Sequence, residues 1–123
     1  MKKVHKTILI FFVVVALILF LLSFLYIKRN RESIIFYYGD TCPHCKMVEN
    51  YIRDNNIDSI LEIKRKEVYR SQANAIELQS RAKECNIESD LGVPFIYYQG
   101  KCYMGKDECI EFLKNAAGLI KNG

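Results

Sequence analysis

The 123-residue chain has no tryptophan, only two prolines, six glycines and two histidines, and no acidic residue before Glu32. Two prolines and six glycines exclude a collagen-like or Pro/Gly-rich disordered chain. The length leaves no room for a second substantial domain. No internal repeat or low-complexity tract is present after residue 33. The missing early carboxylates decide how the charge is read. Lys2, Lys3, Lys6, Lys28, Arg29 and Arg31 are six of the 18 basic residues, which leaves 12 basic against 14 acidic residues after them. The formal net charge of +4 therefore belongs to the N-terminal segment, and no nucleic-acid surface is implied.

What is plentiful is apolar sequence in one place. From Ile8 to Ile27 only Ser23 is polar. Twenty helical residues at ~1.5 Å each span roughly 30 Å, the thickness of a bilayer's hydrocarbon core. A cleaved signal peptide has an apolar middle of only about 7–15 residues and a small-residue cleavage site. Phe24-Leu25-Tyr26-Ile27 offers no such site and no lipid-accepting cysteine, so the reading is an uncleaved signal-anchor. The lack of any polar face argues against a core helix. Three basic residues on each flank leave the positive-inside rule tied. The short basic tail, residues 1–7, suits a start in the cytoplasm, which places the rest of the chain outside the cell membrane. The expected organisation is thus tail 1–7, transmembrane helix 8–27, linker 28–33 and one domain over 34–123.

In that domain, Ile34-Ile35-Phe36-Tyr37-Tyr38 is a continuous apolar run ended by Gly39-Asp40, which suits a strand buried on both faces. A helix follows from Pro43, with Cys45, Val48 and Ile52 on one stripe. A second strand lies within Ile60–Val68, although Lys64, Arg65 and Lys66 interrupt its apolar pattern. Ala75, Leu78, Ala82 and Cys85 mark a second helix. Phe95-Ile96-Tyr97-Tyr98, a Gln99-Gly100 turn and Cys102-Tyr103-Met104 read as a hairpin. A last helix runs from about Asp107 to Ile120, with Cys109, Phe112, Leu113, Ala116 and Ile120 facing inward. The order βαβαββα predicts an α/β fold, one mixed four-stranded sheet with helices on both faces. Tyr37, Tyr38, Tyr97 and Tyr98 read as strand packing, and Glu67-Val68-Tyr69-Arg70 as a solvated strand-to-helix join.

The chemistry concentrates in Gly39-Asp40-Thr41-Cys42-Pro43-His44-Cys45, where the first strand meets the first helix. A two-residue spacer brings both sulfurs within bonding distance in one helical turn. Cys42 at the helix start is expected to face solvent and the positive end of the helix dipole, which favours thiolate. Pro43 fits the first turn because its missing N–H needs no partner there. A protonated His44 adds a second stabiliser of the thiolate. Cys45, one turn in, is the more buried and suits resolution of a mixed disulfide.

The motif and its placement resemble the thioredoxin-like superfamily over roughly residues 34–117. Cys-Pro-His-Cys is the motif of the bacterial periplasmic disulfide oxidant DsbA, whereas the short element order and size resemble glutaredoxin. Gly92-Val93-Pro94 before the third strand is the second landmark. The resemblance implies that Pro94 is cis and lies against the active-site disulfide, and that the Val93 backbone pairs with bound substrate beside Thr41. It implies a thiol–disulfide oxidoreductase acting on protein thiols and disulfides and recycled by a redox partner. Each unit of thiolate pKa depression is worth about 1.4 kcal/mol, or about 30 mV toward oxidising behaviour, and His44 is expected to move the protein that way.

Two departures stand out. Thioredoxins and DsbA proteins often carry a buried carboxylate six residues before the first motif cysteine, where this chain has Phe36. Met104-Gly105-Lys106-Asp107 has Lys106 in place of the second glycine of the glutathione-binding pair in glutaredoxins, which argues against glutathione. No cofactor is needed, because electrons pass between sulfurs. The competing classes are a glutathione-linked reductase, a metal-binding domain and a non-catalytic partner-binding module. No metal is assigned: zinc needs four ligands, and Cys85, Cys102, Cys109 and His44 lack a second Cys-x-x-Cys or a His pair. Core packing is the leading expectation for Cys85, Cys102 and Cys109. A second disulfide of Cys102 with Cys85 or Cys109 is the alternative.

Overall fold

The computed structural model describes residues 1–29 and 33–118. It divides into two compact units, Met1–Glu32 and Ser33–Gly123. The first unit is one helix, α1 (Lys2–Arg29), long and apolar enough to cross a membrane. Residues 30–32 of the expected linker, and the expected helix end at Ile120, lie outside the described residues.

The second unit runs β1 (Ile34–Tyr38), α2 (Pro43–Asp54), a 3₁₀ turn (Ile57–Ser59), β2 (Ile63–Glu67), α3 (Gln72–Glu84), β3 (Phe95–Tyr98), β4 (Lys101–Met104) and α4 (Lys106–Ala116). The strands form one mixed sheet in the order β2-β1-β3-β4, with β1 parallel to β2 and antiparallel to β3. This is the expected short βαβαββα plan.

The central strand is apolar throughout because both of its faces are covered. Ile34 and Phe36 pack with Val48 and Ile52 of α2 and with Phe112 and Leu113 of α4. Tyr37 points the other way, to Leu78 and Ala82 of α3. Tyr97 packs with Tyr37, while Tyr38 and Tyr98 flank the opposite cluster, as the period of two requires. The basic run Lys64–Lys66 does not break β2, since β2 is an edge strand with water within reach. Lys66 reaches the Glu77 carboxylate at 2.6 Å, and Glu77 accepts the Tyr37 hydroxyl at 2.8 Å, so a polar chain ties α3 to the sheet. Burial first, then the Glu77 hydrogen bond, pushes the Tyr37 hydroxyl well above the usual tyrosine range. Gln99 (φ 49°) and Gly100 (φ 76°) are both left-handed, which turns β3 into β4 within two residues.

The helical stripes hold with two changes at their ends. Ala75 is only half-buried, and Ala116 is exposed because α4 ends there and Ala117 turns in instead.

Core packing, the leading expectation for the three cysteines outside the motif, holds only for Cys109. Cys85 and Cys102 instead form a disulfide, with Cα atoms 6.2 Å apart. The reason is positional: Cys85 caps the C-terminus of α3, beyond the buried stripe, within reach of β4. Cys109 is fully buried and donates its S–H to the Tyr103 carbonyl at 3.4 Å. Burial pushes its thiol up to about 12.

The Cys85–Cys102 bond closes a loop with a sequence separation of 17. Replacing both cysteines with alanine should lower the unfolding free energy by about 3 kcal/mol. Denaturant titration of the oxidised full chain in detergent micelles measures this, and unchanged stability would show that the bond contributes nothing.

Candidate functional site

The site forms at the C-terminal end of β1, where the strand gives way to a turn closed by the Cys42 N–H donating to the Gly39 carbonyl at 3.2 Å. Cys42 is the N-cap of α2, with extended backbone angles (φ −90°, ψ 110°), and Pro43 occupies the first turn. The Cys45 N–H donates to Cys42 Sγ at 3.1 Å. A helix N-terminus therefore points an unpaired amide at this sulfur, which favours negative charge there. The first turn of α2 carries no acidic side chain to oppose it.

Cys42 and Cys45 are disulfide-bonded, with Cα atoms 5.2 Å apart. Cys45 is the deeper of the two, at 3% exposure. Cys42 departs from expectation, because it is 9% exposed instead of facing solvent freely. The cover comes in part from the loop before β3: the Val93 carbonyl oxygen lies 3.7 Å from Cys42 Sγ. The Val93–Pro94 peptide bond is cis, and Pro94 is fully buried. The Pro94 carbonyl accepts the Gly105 N–H at 2.9 Å, which ties this loop to the start of α4. Thr41, Pro43 and His44 are exposed around the disulfide. The fold thus gathers Thr41, Cys42, Pro43, His44, Cys45, Val93 and Pro94 at one end of the sheet.

A cleft of about 270 Å³ opens beside the disulfide, lined among others by Phe36, Asp40, Cys45, Glu49 and Arg65. Phe36, at 1% exposure, lines the cleft with hydrocarbon. The charges sit at its rim instead. Arg65 Nε donates to Glu49 at 2.6 Å, and its other nitrogens grip Asp58 at 2.9 and 3.0 Å. The Asp58 hydrogen bonds, ahead of those from Glu49, raise the guanidinium above its already high ordinary value. A larger cavity, about 500 Å³, lies between the hairpin and α4 and shares no lining residue with this cleft. Among the described residues, no three His, Cys, Asp or Glu side chains come together as a metal site requires.

Glu67–Arg70, expected as a solvated join, is exposed at Tyr69 and Arg70 but leans on the site. Arg70 pairs with Asp40 at 2.5 Å, and the Tyr69 ring occupies the space above Gly39. No motif marks this contact. The single signal in the sequence is the glycine that ends β1, and its partner is invisible until the strands are paired.

No family model and no curated protein matches the chain. Among solved structures it is similar to oxidized glutaredoxin 2 from Chlamydomonas reinhardtii, with 19% identity over 74% of this chain and 87% of that one, at a TM-score of 0.48.

The unequal cover of the sulfurs predicts an order of reactivity after mild reduction. Iodoacetamide should modify Cys42 first, Cys45 more slowly and Cys109 only on unfolding, as followed by peptide mass spectrometry. Equal rates at Cys42 and Cys109 would contradict the burial pattern.

Proposed function

We propose that the chain is a membrane-anchored thiol–disulfide oxidoreductase that exchanges disulfides with protein thiols. The observation that carries this reading is the Cys42–Cys45 disulfide at a helix N-terminus, with the Val93 backbone oxygen 3.7 Å from Cys42 Sγ. A structural disulfide needs neither the helix amide on one sulfur nor a backbone carbonyl beside it.

In the reducing direction, the Cys42 thiolate attacks a partner's disulfide. One Cys42–partner S–S bond forms, and the partner's first sulfur leaves as thiolate. Cys45 then loses its proton and attacks Cys42 Sγ. The Cys42–Cys45 bond re-forms, the partner's second sulfur leaves and takes up a proton, and two electrons have passed to the partner. The same steps in reverse oxidise a dithiol. In either direction no cofactor enters, because the electrons stay on sulfur. The Cys45 amide stabilises the Cys42 thiolate, and a protonated His44 adds to that field and moves the protein toward the oxidising end. Val93 supplies a main-chain edge for the partner's backbone, Pro94 walls the site behind it, and Thr41 borders the approach. A second redox protein recycles the pair.

The apolar helix α1 supports anchoring through residues 8–27. The second disulfide, Cys85–Cys102, suits an oxidising compartment, because such bonds are rare in the reducing cytosol. The reading therefore places the domain outside the cytoplasm.

Cys45→Ala should strand partners on Cys42 as mixed disulfides, visible as reductant-sensitive bands on non-reducing gels. Absence of any adduct in cells would overturn the exchange reading. In intact cells of the parent chain, a membrane-impermeant maleimide added after a membrane-impermeant phosphine has freed the thiols should reach Cys42. Labelling only after lysis would reverse the proposed orientation.

A further inference from the structure

The end of β2 bears on the site in a way that the motif does not announce. Because β1 and β2 are parallel and Tyr38 lies opposite Glu67, the segments leaving both strands run side by side. The Val68 N–H donates to the Tyr38 carbonyl at 2.9 Å, so the pairing continues one residue past β2. Glu67 then folds its carboxylate back over the chain: Oε1 accepts the Tyr69 N–H at 2.7 Å and Oε2 the Arg70 N–H at 2.8 Å. Its own carbonyl accepts the Asn74 side-chain amide at 2.8 Å, which fixes Glu67 to the first turn of α3.

Two side-chain links also join this segment to the one leaving β1. The Arg70 guanidinium pairs with the Asp40 carboxylate at 2.5 Å. The Tyr69 ring lies so close over Gly39 that a Cβ there would displace it. Gly39 and Asp40 are the residues whose turn delivers Cys42 to the N-cap of α2. The Glu67 carboxylate holds the Tyr69 and Arg70 amides, and through these two residues one ring and one ion pair bear on two consecutive residues of the loop that carries Cys42.

We propose that Glu67 is a positioning residue for thiol exchange, and that with Tyr69 and Arg70 it holds the Gly39–Cys42 turn so that Cys42 Sγ stays on the Cys45 amide. Glu67 touches neither sulfur and acts through the loop. Desolvation raises the Glu67 carboxyl, but the backbone bonds, led by those from Arg70 and Tyr69, outweigh it and hold the group below the usual carboxylate range. It is therefore ionised wherever the thiol chemistry runs. The role rests on the exchange reading, yet it predicts a property of Cys42 that needs no partner protein.

The test is the pH dependence of Cys42 alkylation by iodoacetamide in the reduced full chain, in detergent micelles, with Cys109 protection as the measure of folding. Glu67→Ala should raise the midpoint by about one pH unit, so that Cys42 reacts about tenfold more slowly below both midpoints. Glu67→Gln keeps one acceptor oxygen and should fall between the two. Arg70→Ala removes an 80% exposed side chain and leaves the core untouched, so it reports on the loop even where Glu67→Ala exposes Cys109, and it should raise the midpoint by a smaller step. An unchanged Cys42 profile in Arg70→Ala and in a folded Glu67→Gln overturns the proposal. Exchange with bis(2-hydroxyethyl) disulfide, run on the parent chain, separates the two claims. A parent without exchange activity defeats the functional reading, while the shift in Cys42 midpoint decides the role of Glu67.

Discussion

The site depends on β1 lying between a parallel and an antiparallel neighbour. Parallel pairing with β2 sends the chain out of both strands at the same end, so the Cys42 loop and the Glu67 join are side by side. Antiparallel pairing with β3 makes β3 begin at that end, which is where Val93 and Pro94 enter. Three segments distant in sequence thus converge at the carboxyl end of one strand without any of them crossing the core. A sheet ordered otherwise would keep the motif and lose its surroundings.

The central strand meets this demand by being apolar on both faces. At Phe36 that apolar character reaches the chemistry. Phe36 and Cys45 line the same cleft. The phenyl ring gives α2 and α4 a continuous hydrocarbon core and leaves charge at the rim, on Glu49, Arg65 and Asp58. The packing that stabilises the domain and the polarity of the cleft are therefore decided by the same residue.

How much was legible beforehand differed from feature to feature. Val48, Ile52, Phe112 and Leu113 are readable because their burial repeats at helical spacing, and the Gln99-Gly100 turn because two left-handed residues close a hairpin. The extent of β2 was less clear, since an edge strand tolerates Lys64, Arg65 and Lys66 and so lacks an apolar pattern. Cys85 continues the Ala75–Ala82 stripe by spacing alone, but α3 ends there, and a sulfur at a helix end is free to turn toward Cys102. The burial of Cys42 beside Val93 was likewise out of reach, because those residues meet only across the sheet.

What the amino-acid sequence determined by itself was local: an apolar segment of membrane-crossing length, the order of strands and helices, and two cysteines one helical turn apart behind a strand. Each is set by periodicity or by spacing within a single element. Tertiary structure alone decided which carbonyl faces Cys42, which cysteine joins Cys102, and that the segment of Glu67, Tyr69 and Arg70 lies beside the turn that leads to Cys42. Those contacts join residues tens of positions apart, and only strand register selects among the many pairings that composition allows.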